Sequence, residues 1–175
     1  MIAPRLETDR LILRPHRVDD FPAMSAMWGD ERVTRFILDA PATPETTWSR
    51  LLRYGGHWHM LGFGYWALEC RQTGAFLGEA GLADYHRAFQ PPEEIGPEAG
   101  WVLAAEAHGQ GIAVEAMQAA LAWSDANLGV SKVTAIFSPD HVASQAVARK
   151  LGFVFGRTTR YNGHPTLMME RPRGG

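Results

Sequence analysis

The chain has 175 residues, the length of one domain rather than two, and its 46% hydrophobic, 10% aromatic and 21% charged residues exclude a disordered or fibrous class. A chain of this size buries about 70% of the surface its unfolded form exposes, so a core needs no disulfide staples, and the lone Cys70 could not form one internally. The 17 basic and 19 acidic residues, a net charge of -2, exclude the strong cationic field that nucleic acid demands.

In chain order, Arg5, Glu7, Asp9, Arg10 and Arg14 interrupt the opening residues, so no signal peptide is expected there. No run of about 18 apolar residues follows anywhere, no membrane span is expected, and the cytoplasm is the expected compartment. Leu11-Ile12-Leu13-Arg14, closed by Pro15, predicts a first strand. Asp19-Asp20 ahead of Phe21, Met24, Met27 and Trp28 predicts an amphipathic helix that Gly29 ends. Thr43-Pro44 opens a second helix, with Trp48, Leu51 and Leu52 on one side, that Gly55-Gly56 is expected to stop or kink. Tyr65–Cys70 and Ala75–Leu82 around Gln72-Thr73-Gly74 predict a hairpin.

Gln90 to Pro97 is rich in Pro and Glu and predicts an exposed loop, followed by a strand over Gly100-Trp101-Val102-Leu103. A long helix is expected from about Gly111 to Leu128, with Glu115, Gln118 and Asp125 in a narrow polar stripe that implies packing on a sheet. Lys132–Phe137 reads as a strand, Asp140–Leu151 as a helix stopped by Gly152, and Phe153–Arg157 with Leu167–Glu170 as final strands around Asn162-Gly163. The tail, residues 171–175, is expected to fray. This order predicts a single α/β domain over residues 1–175, an α+β arrangement in which helices cover both faces of a mixed, mostly antiparallel sheet.

Chemistry concentrates in two segments. Trp101-Val102-Leu103, a short loop with Gly109 and Gly111, and the helix from Ile112 form a strand–loop–helix unit whose free amides at a helix start suit a phosphate. The spacing fits neither a dinucleotide fingerprint, since residue 114 is Val, nor a P-loop, since no G-K-[ST] occurs. In the helix from Asp140, His141 and Ser144 lie three apart on one face. His57-Trp58-His59 has no H-E-x-x-H or paired-cysteine spacing, so no metal is expected.

Together these segments resemble the GNAT superfamily of acyl-CoA-dependent N-acyltransferases, in particular the subgroup that acetylates the N-termini of ribosomal proteins. The resemblance runs over nearly the whole chain: Leu6-Glu7-Thr8-Asp9-Arg10-Leu11-Ile12-Leu13-Arg14-Pro15, Thr73-Gly74 with Leu77-Gly78, Glu98-Ala99-Gly100-Trp101-Val102-Leu103, and Lys150-Leu151-Gly152-Phe153. It implies a GNAT-like domain that transfers an acetyl group from acetyl-CoA, as cosubstrate, to a primary amine of a small molecule or a protein N-terminus, in a monomer or homodimer. It places the cofactor contacts on Trp101, Val102, Leu103, on the phosphate loop His108, Gly109, Gln110, Gly111, Ile112, Ala113, and on His141 and Ser144. His108 stands where the family has Gln or Arg, His141 stands where the subgroup has Asn, and Ala148 stands where other members have a tyrosine acid. Ser144 is implied to meet the sulfur. Glu98 is the expected base, the main chain near Leu103 an expected oxyanion donor, and Tyr161 and His164 further candidates for substrate contact. Glu93, Glu94 and Glu98 would steer a cationic amine. The competing expectation is a non-catalytic acyl-CoA-binding module.

Overall fold

The structure, a computed structural model, describes residues 2–174. Leu6–Glu7 (β1) and Leu11–Arg14 (β2) open the chain, and all four residues of β2 are buried. Three helices follow, Phe21–Trp28 (α1), Glu31–Thr34 (α2) and Pro44–Leu61 (α3). The strands Tyr65–Cys70 (β3) and Phe76–Ala83 (β4) form the expected hairpin, and the two-residue Phe89–Gln90 (β5) precedes Glu98–Leu103 (β6). Then come Ile112–Asn127 (α4), Lys132–Phe137 (β7), Val142–Lys150 (α5), Val154–Tyr161 (β8) and His164–Pro172 (β9).

Among the described residues the strands make one nine-stranded sheet in the order β1-β2-β3-β4-β6-β7-β9-β8-β5, antiparallel except where β6 lies parallel to β7. The expected fold class is therefore present. Side-chain alternation splits the core between the two faces. Leu11, Leu13, Trp66, Leu68, Ala80 and Leu82 pack with the α4 residues Ile112, Ala116, Met117 and Leu121 on one face. Met24, Trp28, Leu51, Tyr54 and Tyr65 fill the other, under α1 and α3.

Several expectations are corrected. Gly55-Gly56 does not stop α3, which runs on to Leu61. Each glycine costs a helix about 1 kcal/mol relative to alanine, and burial of Leu51, Tyr54, His57 and Trp58 on one face outweighs that. The loop at Gln90 to Pro97 is largely exposed as expected, and β5 pairing with Arg160 and Tyr161 and Glu93 pairing with Arg157 tie it to the sheet. The tail does not fray over 171–174: β9 extends to Pro172, and buried Arg171 donates to Asp125 Oδ2 at 2.8 Å. Gly175 lies outside the described residues. β1, β5 and α2 were too short to carry a periodic signal. The last turn falls where expected, with Asn162 and Gly163 at φ 49° and 80°, the paired positive values that a tight hairpin requires.

Candidate active site

β6 and β7 share one register pair, Glu98 with Thr134, anchored by the Thr134 amide donating to the Pro97 carbonyl at 3.1 Å. Beyond it toward Leu103 their main chains are not paired with each other, so a gap opens in the sheet. Hydrogen-bond alternation identifies what faces the gap. Ala104 N–H donates across to Leu77 on the β4 side, so the even-numbered residues of β6 address β4 and the main-chain groups of Trp101 and Leu103 point toward β7. The rings of Trp101 and Phe137 approach to 5.7 Å across this opening. The side chain of Val102 instead packs on the opposite face, with Trp28 and Val33.

The chain leaves β6 through a single 3-10 turn, Ala105–Ala107, and enters α4 through the glycine loop. Gly109 and Gly111 have φ of 73° and 77°, values a β-carbon penalises, which is why glycines stand there. Ile112 and Ala113 bury their side chains, while their amides, in the first turn of α4, have no partner within the helix. The His108 ring donates from Nε2 to the Leu103 carbonyl at 3.0 Å, tying the loop to the strand. An N-terminal clamp absent from the sequence reading holds the loop from behind. Arg10 donates to the Gln110 carbonyl at 2.9 Å and to Glu115 Oε2 at 2.6 Å, and Thr8 donates to Glu115 Oε1 at 2.5 Å. Partial burial pushes the Glu115 carboxyl up, but these hydrogen bonds outweigh burial and hold it below its ordinary value. Its isolation in an otherwise apolar first turn was the one available signal. The partners lie 105 residues apart.

α5 begins at Val142, two residues later than expected, with His141 as its N-cap residue. The expected pairing survives this shift: Ser144 Oγ and His141 Nε2 are 3.1 Å apart, and Ser144 is buried. Phe36, from the segment after α2, stacks on the His141 ring at 4.9 Å and 22°. Burial, then the charges of Arg35 and His108, push the His141 imidazole below its ordinary value. Ala148, also buried, leaves no hydroxyl deeper on this helix.

Glu98 is placed differently from the expectation. It stands at the closed end of the gap, with both oxygens taken by Arg87, whose Nε and Nη2 donate at 2.6 and 2.7 Å. A buried carboxylate in a two-pronged guanidinium pair is a fixed counter-ion and not a base free to take a proton. It lines a cleft of about 440 Å³ with Tyr85, Arg87, Glu93 and Glu94. Arg157 pairs with one oxygen of Glu93, so of the three acids expected to steer a cation only Glu94 stands exposed without a guanidinium partner. Arg87 also lies over the Tyr161 ring at 4.8 Å, and His164 faces Asp39 at 3.5 Å, both exposed. The structure thus gathers Trp101, Leu103, His108 to Ala113, His141 and Ser144 around one opening, with Glu98 tied to Arg87 at its closed end. No group of residues suited to a metal occurs among the described residues, and no described helix is long and apolar enough to cross a membrane.

The acetyltransferase (GNAT) domain model matches residues 10–154. An uncharacterized N-acetyltransferase of Bacillus subtilis (strain 168), YoaA, is 30% identical over 154 residues, 86% of this chain and 82% of that protein. A putative GnaT-family acetyltransferase from Bordetella pertussis superposes with a TM-score of 0.83 at 32% identity, covering 97% of this chain and 99% of that one. RimL, a ribosomal-protein α-N-acetyltransferase solved with coenzyme A, shares the fold at a TM-score of 0.74 and 20% identity, covering 97% and 98% of the two chains.

Proposed function

The chain belongs to the GNAT family of acetyltransferases, and from that premise we propose that it moves an acetyl group from acetyl-CoA to a primary amine, of a small molecule or a protein N-terminus, by direct attack. The observation that carries this reading is the gap between β6 and β7, with the glycine loop at its rim and Ser144 beside it. The residues present fit coenzyme A. Two glycine turns leading into the unpaired amides of Ile112 and Ala113 suit a diphosphate, and the outward main chain of Trp101 suits the amides of an extended arm. When bound, acetyl-CoA supplies an activated thioester. The Leu103 N–H, aimed into the gap, would take the charge that develops on the acetyl oxygen. Cys70, with no disulfide to maintain, suits the cytoplasm we assign to the protein.

The test is thermal unfolding with acetyl-CoA, NAD serving as the control, followed by turnover on a panel of an alanine-initiated peptide, a serine-initiated peptide, spermidine and lysine. Acetyl-CoA at 100 times its Kd should stabilise the fold by about 2.7 kcal/mol, several degrees in Tm for a chain of this size. A specific shift with turnover is the expected result. A shift without turnover on the panel would favour the non-catalytic acyl-CoA-binding module.

A further inference from the structure

Acetyl transfer to an amine needs a group that takes a proton from nitrogen and one that returns a proton to sulfur. Glu98 serves neither need, because Arg87 occupies both of its oxygens. At the gap itself, a hydroxyl and an imidazole meet: Ser144 Oγ lies 3.1 Å from His141 Nε2. The imidazole is held on its face by Phe36. The charged and titratable groups acting on it from neighbouring elements are Arg35, after α2, and His108, in the glycine loop, and neither is an acid that would hold the ring protonated. Asp140, beside it in sequence, is exposed. Burial and those two neighbours favour the neutral ring, so Nε2 is able to accept the Ser144 proton.

Resting on the acetyl-transfer reading, we propose that Ser144 and His141 form a proton shuttle that carries the acceptor's proton from nitrogen to sulfur. As the amine nitrogen bonds to the acetyl carbon, its surplus proton passes to Ser144 Oγ while the hydroxyl's own proton passes to His141 Nε2. As the carbon–sulfur bond breaks, the imidazolium returns a proton through Ser144 Oγ to the departing thiolate. Nitrogen ends as an amide, sulfur as a thiol, and the pair returns to its starting state, so one proton has moved and no outside acid or base is consumed. Ser144 is the catalytic residue of the pair. His141 acts through it and is a positioning residue that also holds the proton in transit.

The experiment uses the full chain and the fastest acceptor of the panel. His141→Gln keeps a hydrogen-bonding partner for Ser144 but cannot hold the proton, and His141→Phe keeps a ring against Phe36. For both, kcat should fall about 100-fold, with the thermal shift by acetyl-CoA unchanged. The wild-type kcat, at saturating acceptor, should decline as pH falls below the ordinary histidine value of about 6.5, and that decline should vanish in His141→Gln. An NMR titration supplies a readout apart from activity: the His141 ring should titrate below the ordinary histidine value, and its midpoint should move in Ser144→Ala. If His141→Gln kept wild-type kcat and its acid limb while acetyl-CoA still raised Tm, the shuttle would be overturned and the transferase reading would stand. Absence of both thermal shift and turnover in the wild type would overturn both.

Discussion

A β-carbon on Gly100 would sit 1.9 Å from the Tyr65 hydroxyl and 3.1 Å from Cζ of the same ring. Tyr65 cannot swing away cheaply, since it is 6% exposed and stacked flat on Tyr54 at 4.8 Å and 7°. The glycine in β6 is therefore a notch for a tyrosine on β3, two strands away, and it keeps the strand beside the gap at its proper place. Gly100→Ala should cost about 2 kcal/mol, within the range for overpacking a filled core. Adding Tyr65→Phe should restore much of that loss, because removing the oxygen leaves only the 3.1 Å contact to relieve. Urea unfolding of the two single variants and the double variant checks this, and simple additivity would show that the hydroxyl is not what the methyl meets.

The glycine loop works as an element because something outside it sets its shape. Its own residues supply the turn, but Thr8, Arg10 and Glu115 fix the turn against β2 and α4. Arg10 is half exposed, so its pairing contributes little to overall stability. Its effect belongs to the preorganisation of the phosphate-binding amides, which lowers the cost of ordering them on binding. Arg10→Ala should raise the acetyl-CoA Kd about tenfold, by calorimetric titration, and shift the ligand-free Tm by a degree or two at most. A large fall in ligand-free Tm with unchanged Kd would make the clamp a feature of stability instead.

For the molecule as a whole, the junction between strands β2 and β3 and the start of α1 rests on a buried ion-pair cluster. Arg14 donates to Asp20 Oδ1 and Oδ2 at 2.7 and 2.8 Å and to Glu69 at 2.6 Å. Burial pushes the Asp20 carboxyl up, but Arg14 and the Arg17 amide outweigh it and hold the group below its ordinary value. A carboxylate depressed in the folded state contributes stability that is fully present above its unfolded value, about 3.9, and is lost as pH falls through the lower folded value. Asp20→Asn should therefore lower Tm most near pH 7, and the gap from wild type should narrow below about pH 4. Calorimetric scans from pH 3 to 7 check the sign, and a gap that stayed constant with pH would remove ionisation of Asp20 as its cause.

Sequence alone determined the order of the longer elements, because apolar spacing and Gly or Pro punctuation are local, and it determined the chemistry of the loop, because two glycines before an apolar helix already imply exposed amides. The spacing of His141 and Ser144 was legible for the same reason: three residues at a helix start put two side chains on one face. What Glu98 does was not legible. Its partner Arg87 comes from a loop with no periodic pattern, and only the folded chain turns a candidate base into a counter-ion. The run of α3 through Gly55-Gly56 was likewise decided by a buried face that exists only once the sheet is in place. Tertiary structure also paired Arg10 with Glu115 and Phe36 with His141, contacts made between residues about a hundred positions apart. Local propensity is written along the chain, whereas charge pairing and ring stacking depend on which distant segments the core brings together.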